Sequence, residues 1–121
     1  MPKTIMTIDD SPTMRQMVSL TLSEAGYEII EAVDGLDALA KINGHRIDLF
    51  LSDVNMPNLD GIELTRRLRA NPGTRFTPIV LVTTESQVEK KMAGKAAGAS
   101  GWIVKPFDPD QLLTVVKRVC P

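Results

Sequence analysis

The sequence predicts an α/β fold: five parallel strands in one sheet with helices on both faces, a three-layer sandwich. Three observations predict it. Short apolar runs alternate five times with segments of helical spacing. Those runs are nearly continuous in apolar residues, as strands buried on both faces are. Helices separate the runs throughout, and parallel neighbours require such crossovers, which are right-handed. At 121 residues the chain makes one domain, 1–121, large enough to bury roughly two thirds of its unfolded surface without disulfides or metal staples.

The first strand spans Lys3 to Ile8. Asp9, Asp10, Ser11 and Pro12 then start a helix, with Ser11 as N-cap and Pro12 at the first helical position. Met14, Met17, Val18, Thr21, Leu22 and Ala25 hold helical spacing, and Gly26 closes the helix. Tyr27 to Ala32 is the second strand, and Asp34 caps a helix with the stripe Ala38, Leu39, Ile42, stopped at Gly44. The third strand, rich in Ile47, Leu49, Phe50 and Leu51, halts at Asp53 because Asn55, Pro57, Asn58, Asp60 and Gly61 are turn formers.

Asp60 and Glu63 have capping-box spacing for a helix carrying Leu64 and Leu68. The fourth strand, Thr77 to Val82, is followed by Thr83 and Thr84. Ser86 and Glu89 form another box, opening a helix with the stripe Val88, Met92, Ala96, Ala99. Gly94 and Gly98 make it the weakest helix, each costing about 1 kcal/mol against alanine if internal, and so the one expected to move. Trp102 to Val104 is the fifth strand. Asp108, Pro109 and Gln111 start a last helix bearing Leu112, Val116 and Val119.

In a parallel sheet all residues that follow a strand share one rim. Asp9, Asp10, Asp53, Thr83, Thr84 and Lys105 hold those positions. If strands one and three are neighbours, three carboxylates crowd one pocket, and two unit charges about 5 Å apart repel by about 3 kcal/mol at an effective dielectric of 20. A small hard dication with oxygen ligands, such as Mg2+, fits among them, and the backbone carbonyl of Asn55 can add a ligand. Three carboxylates, the dication and Lys105 sum to zero charge. Such a site suits phosphorylation of Asp53, with the metal and Lys105 stabilising the transferring group and Thr83 bonding a phosphoryl oxygen. The added charge then draws in the Thr83 loop and biases the fourth helix.

Over its whole length the sequence resembles the receiver domain of two-component response regulators, most closely the stand-alone chemotaxis regulators. The segments IDDSPTMR, LSDVNMPNLDG, LVTTES and KPF carry the likeness in type and order. The resemblance implies a flavodoxin-like (βα)5 fold with strand order 2-1-3-4-5 and no output domain. It implies that Asp53 takes phosphate from a kinase phosphohistidine. It further implies that Asp9, Asp10, Asp53 and the Asn55 carbonyl bind Mg2+, that Thr83 is the switch hydroxyl, that Lys105 contacts the phosphoryl group, and that the Lys105 to Pro106 bond is cis. Trp102 stands where the family has a switch Tyr or Phe, bringing a larger ring and an indole N–H in place of a hydroxyl. Thr84 and Glu85 line the pocket mouth and tune hydrolysis.

Plainer readings stand beside these. An aspartate after a strand often only caps a helix, which for Asp10 alone is equally good; three acids and a lysine together on one rim favour a site. Lys90, Lys91, Lys95, Lys117 and Arg118 form either a basic docking face with Trp102 or a solvated surface. Trp102 can be ordinary half-buried packing. Met14, Met17 and Met92 belong to the core, and His45 and Cys120 carry no function.

Lys plus Arg is 14 against 15 for Asp plus Glu, a net charge of -1, so no global field favours nucleic acid or anionic membrane. The lone Cys120 has no internal disulfide partner, the start lacks an apolar leader, and the longest aliphatic run is Ile79 to Val82. A cytoplasmic monomer is expected. A flavodoxin-type flavin carrier is disfavoured because Asp9 and Asp10 would repel its phosphate. A haloacid-dehalogenase-type phosphatase needs a second Asp where Asn55 stands, and a nucleotide-driven enzyme needs a G-x-x-x-x-G-K loop that is missing. The expected role is a phosphoacceptor that assists its own phosphorylation and dephosphorylation, not a turnover enzyme. Its partners would be a histidine kinase and a downstream protein, such as a flagellar motor switch component or a phosphatase; a phosphate sink or a relay receiver are the alternatives.

Overall fold

The computed structural model describes residues 2–84 and 88–121, with Val88 described by its backbone alone. The elements are β1 (Thr4–Ile8), α1 (Pro12–Glu24), β2 (Glu28–Ala32), α2 (Gly35–Lys41), β3 (Leu49–Asp53), α3 (Gly61–Ala70), β4 (Ile79–Thr84), α4 (Val88–Ala97), β5 (Gly101–Lys105) and α5 (Pro109–Val119). All neighbouring strands pair in parallel, in the order β2-β1-β3-β4-β5. The predicted class and the strand order both hold.

Side-chain alternation along each strand divides the interior into two cores. Met6, Ile8, Phe50, Ile79 and Leu81 pack on one face with Leu64 and Leu68 of α3 and Ala38 of α2. Ile5, Leu49, Leu51, Val80, Val82 and Ile103 pack on the other with Val18 and Leu22 of α1 and Leu112 and Val116 of α5. The register preserves this parity, since Met6 lies beside Phe50 and Phe50 beside Ile79. A one-residue slip would exchange every pair between faces. The strands buried nearly throughout, β1, β3 and β4, are the three inner ones.

Local chemistry sets the helix starts. Ser11 accepts from the Met14 N–H with Pro12 at the first position of α1, so Ser11 and not Asp10 is the cap. Asp34 accepts from Asp37 N–H, and Asp108 and Gln111 make a complete capping box on α5. At α3 only the Asp60 half of the expected box forms. The Glu63 carboxylate turns outward to Arg66 and Arg67, at 2.9 and 3.8 Å. The box expected from Ser86 and Glu89 lies outside the described residues.

Two strands run further than their apolar residues suggest. Thr83 and Thr84 close β4 and Lys105 closes β5, because Thr83 pairs with Val104 and Thr84 with Lys105. Ladder pairing keeps polar residues extended where composition alone marks a stop.

The stripe expected for α4 is out of phase. Met92 is 78% exposed and Ala96 is exposed, while Ala93 and Ala97 pack on the core beside Trp102. The largest apolar residue misled the reading: this helix lies close to the sheet and turns its smallest residues inward. A Cβ on Gly94 would fall 2.7 Å from Leu81 Cδ1 and 3.0 Å from the Trp102 ring. Gly94 is thus a spacing residue. Gly98 lies beyond the helix at φ +113°, where glycine carries no penalty, so the internal glycine cost applies to Gly94 alone.

Candidate functional site

β1 and β3 are neighbours, so their C-terminal ends deliver Asp9 and Asp53 to one place. Asp9 is 7% exposed and is held on three sides. Its backbone N–H donates to Ala32 O at 3.2 Å, its Oδ1 accepts from Ser11 N–H at 2.9 Å, and its carbonyl accepts from Arg15 Nη1 at 2.7 Å. Arg15 also binds Glu31 at 2.9 Å through Nε. A helix residue thereby ties the ends of β1 and β2 together. Arg15 was not singled out from the sequence, although its place four residues after the cap on α1 turns it toward the rim.

Asp53 accepts from its neighbour's N–H, Val54, at 3.0 Å through Oδ1. Lys105, on the last residue of β5, places Nζ 3.4 Å from Asp53 Oδ2 and 3.6 Å from Asp9 Oδ2. These are ion-pair distances, longer than a close hydrogen bond. Asp9, Asp10 and Asp53 each turn an oxygen to within 4.8 Å of the others, Asp10 from the exposed side. Burial pushes the Asp53 carboxyl above its ordinary pKa. Lys105 pulls it down, Asp9 raises it further, and the net direction is up. Against the three carboxylates Lys105 brings a single positive charge. Three hard oxygen donors that want more positive charge fit Mg2+ by donor type and by charge.

Gly61 shapes the same spot. Its N–H donates to Val54 O at 2.9 Å, and an added Cβ would collide with the backbone carbonyl of Asp53. Read from the sequence, it was only turn material. Gly61→Ala is expected to lower stability by about 2 kcal/mol, as overpacking against fixed backbone does, and to weaken Mg2+ binding because Asp53 must shift. Chemical denaturation and calorimetry check both; an unchanged metal affinity would mean the acids do not depend on this contact.

Thr83 is buried at 2% exposure on β4, one strand from Asp53 on the same rim. Thr84 is exposed, and Glu85 lies outside the described residues. The peptide bond between Lys105 and Pro106 is cis. Trp102 pairs with Leu81, two positions before the Thr83 and Val104 pair, and its half-buried ring lies under α4 at Gly94. Lys91 and Lys95 line a shallow groove of about 140 Å³ with Trp102, Ala99, Ser100 and Gly101. Lys117 and Arg118 are exposed on α5. Lys90, also expected on the docking face, donates from Nζ to Asn55 Oδ1 at 2.8 Å, on the turn two residues after Asp53.

Fold and rim together define a doubly wound parallel α/β domain that gathers acids and a lysine where its strands end. The chain belongs to the response regulator receiver domain family, whose model matches residues 5–117. It is 38% identical to the phosphate regulon transcriptional regulatory protein PhoB of Pseudomonas aeruginosa over 117 residues, 97% of this chain and 51% of PhoB. The chain thus spans about half the length of that relative. Among solved structures it is 49% identical to the chemotaxis response regulator CheY4 of Vibrio cholerae, with a TM-score of 0.93 and coverage of 98% of this chain and 99% of that one. The receiver domain of the sensor histidine kinase PA1611 from Pseudomonas aeruginosa, 27% identical at a TM-score of 0.90 over 99% of this chain and 98% of that one, was solved with a magnesium ion coordinated in its active site cleft. Receiver domains are signalling phosphoacceptors that take phosphate from histidine kinases, bind Mg2+ at an acidic pocket and act on downstream partners.

Proposed function

We propose that this chain is a phosphorylation-activated switch in which Asp53 accepts a phosphoryl group from the phosphohistidine of a kinase. The observation that carries this reading is the Lys105 ammonium placed between Asp53 and Asp9, at 3.4 and 3.6 Å, inside a group of three carboxylates. An Asp53 carboxylate oxygen forms a bond to phosphorus as the phosphorus–nitrogen bond to the donor imidazole breaks. The electron pair stays on that nitrogen, and because the other ring nitrogen carries a proton the imidazole leaves neutral. Asp9, Asp10, Asp53 and the Asn55 carbonyl would hold Mg2+, which when bound supplies positive charge to the oxygens of the transferring group.

Lys105 then trades a carboxylate for a phosphoryl oxygen, and the Thr83 hydroxyl donates to another. Thr83 closes the strand that leads to α4, so its movement is felt at the Trp102 and Gly94 contact. Thr84 and Glu85 tune hydrolysis of the phosphoryl group. The output face comprises Lys91, Lys95 and Trp102 with Lys117 of α5. Because Asn55 replaces the proton-shuttling acid of a phosphatase, the acyl phosphate persists long enough to signal. Likeness to CheY4 across nearly the full length of both chains supports a role in chemotaxis, with a flagellar motor component as the partner.

Calorimetric titration of Mg2+ tests the site. The wild-type protein should bind one ion, and Asp9→Ala should weaken it by at least about tenfold, since even outer partners of a metal site are worth that much. Equal affinity in the variant would place the ion elsewhere.

A further inference from the structure

Lys90 is the third residue of α4, yet its ammonium is bonded at 2.8 Å to Asn55, two residues beyond Asp53 on the turn that follows β3. This contact ties the first turn of α4 to the turn that follows Asp53. The pocket already has an interior cation in Lys105. We infer that Lys90 is a second, outer cation of the phosphoryl-transfer site, a specificity-determining residue that draws anionic phosphodonors to the mouth and holds the Asn55 side chain aside. The inference rests on the assignment of Asp53 as the acceptor.

Charge and geometry carry it. With the metal and Lys105 in place the acids are only neutralised, and the outermost of them, exposed Asp10, is negative, so a dianionic donor meets no attraction at the mouth. An ammonium at the rim reverses the local sign on the donor's path, and a cation lining an entrance raises the encounter rate of anions in a salt-dependent way. Lysine suits the task because it has three donors on a flexible stem. One donor holds Asn55 Oδ1, and the others can turn to the incoming group without losing that anchor. The same charge acts against Mg2+, which must enter through the mouth it guards. Lys90 thus favours the donor without favouring the metal, whereas a tether that merely framed the acids would support both.

The test compares wild type with Lys90→Ala and Lys90→Arg, using acetyl phosphate as donor and Mg2+ alone as the metal probe. At low salt Lys90→Ala should be phosphorylated about threefold to fivefold more slowly, with a shallower dependence on ionic strength, and Lys90→Arg should recover most of the rate. Mg2+ affinity measured by calorimetry should stay the same or rise in Lys90→Ala. A rate and salt slope equal to wild type, or donor rate and Mg2+ affinity falling together, would overturn the inference. Failure of the wild-type protein itself to take up phosphate would instead overturn the assignment of Asp53.

Discussion

Asp53→Asn is expected to abolish phosphoryl uptake and, in the absence of metal, to make the protein more stable. The first effect follows from chemistry, because an amide oxygen of Asn is too weak a nucleophile to displace the donor. The second follows from the environment. Burial and Asp9 raise the Asp53 pKa in the folded state against the opposing pull of Lys105. A carboxyl whose folded pKa is raised contributes stability that is fully present below its unfolded value of about 3.9 and lost as pH rises through the folded value. At neutral pH the ionised group therefore weakens the metal-free fold. Replacing it with a neutral amide removes that burden while keeping shape.

Magnesium should reverse the ranking. An ion that binds only the folded protein stabilises it by about 1.4 kcal/mol at ten times its dissociation constant, and the variant, short of one ligand, should gain less. Thermal melts at pH 7 with chelator and then with Mg2+, together with radiolabelled acetyl phosphate, measure all three effects. Stoichiometric labelling of Asp53→Asn would remove Asp53 as acceptor. A lower melting temperature in chelator would mean that Lys105 holds the acid more firmly than burial disfavours it.

The parts of this molecule legible in the sequence are those where one residue's chemistry is decided locally. Ser11 before Pro12, Asp34, and Asp108 with Gln111 announce helix starts through side chains that can reach their own backbone. The apolar runs of β1, β3 and β4 announce strands, and strand direction then places Asp9, Asp53, Thr83 and Lys105 on one rim without any distance being known. What could not be read depends on contacts far apart in the chain. The phase of α4 is set by how closely it lies on Leu81 and Trp102, so Ala93 and Gly94 face inward while Met92, the best core residue by composition, faces water. Lys90 resembles any surface lysine until the fold brings it to Asn55, 35 positions away. Arg15 and Gly61 likewise owe their roles to partners that only the assembled rim supplies.

Arg69 is the strongest instance and yields the largest expected loss of stability. From α3 its Nε donates to Gly98 O at 3.0 Å, its Nη1 to Thr77 O at 2.6 Å and Arg75 O at 3.0 Å, and its Nη2 to the Ser100 hydroxyl at 3.1 Å. One guanidinium thus joins the turn that ends α4, the loop entering β4 and the start of β5. Ser100 Oγ in turn accepts from Ile79 N–H at 3.1 Å, so the network reaches the first residue of β4. Burial lowers the Arg69 pKa, yet the guanidinium stays charged at pH 7.

Arg69→Ala should cost about 3 kcal/mol, because bonds from a charged donor are worth about 1.5 to 3 kcal/mol and the freed carbonyls are only partly reached by water. For a domain of this size that is a fall in melting temperature of about 10 °C. Arg69→Lys should recover little, since one ammonium cannot span carbonyls that the planar fork reaches in different directions. Urea denaturation of both variants measures the difference. A loss below about 1 kcal/mol would show that solvent replaces the guanidinium at these carbonyls. A full loss would show that this guanidinium fixes the turn that ends α4 to the loop entering β4.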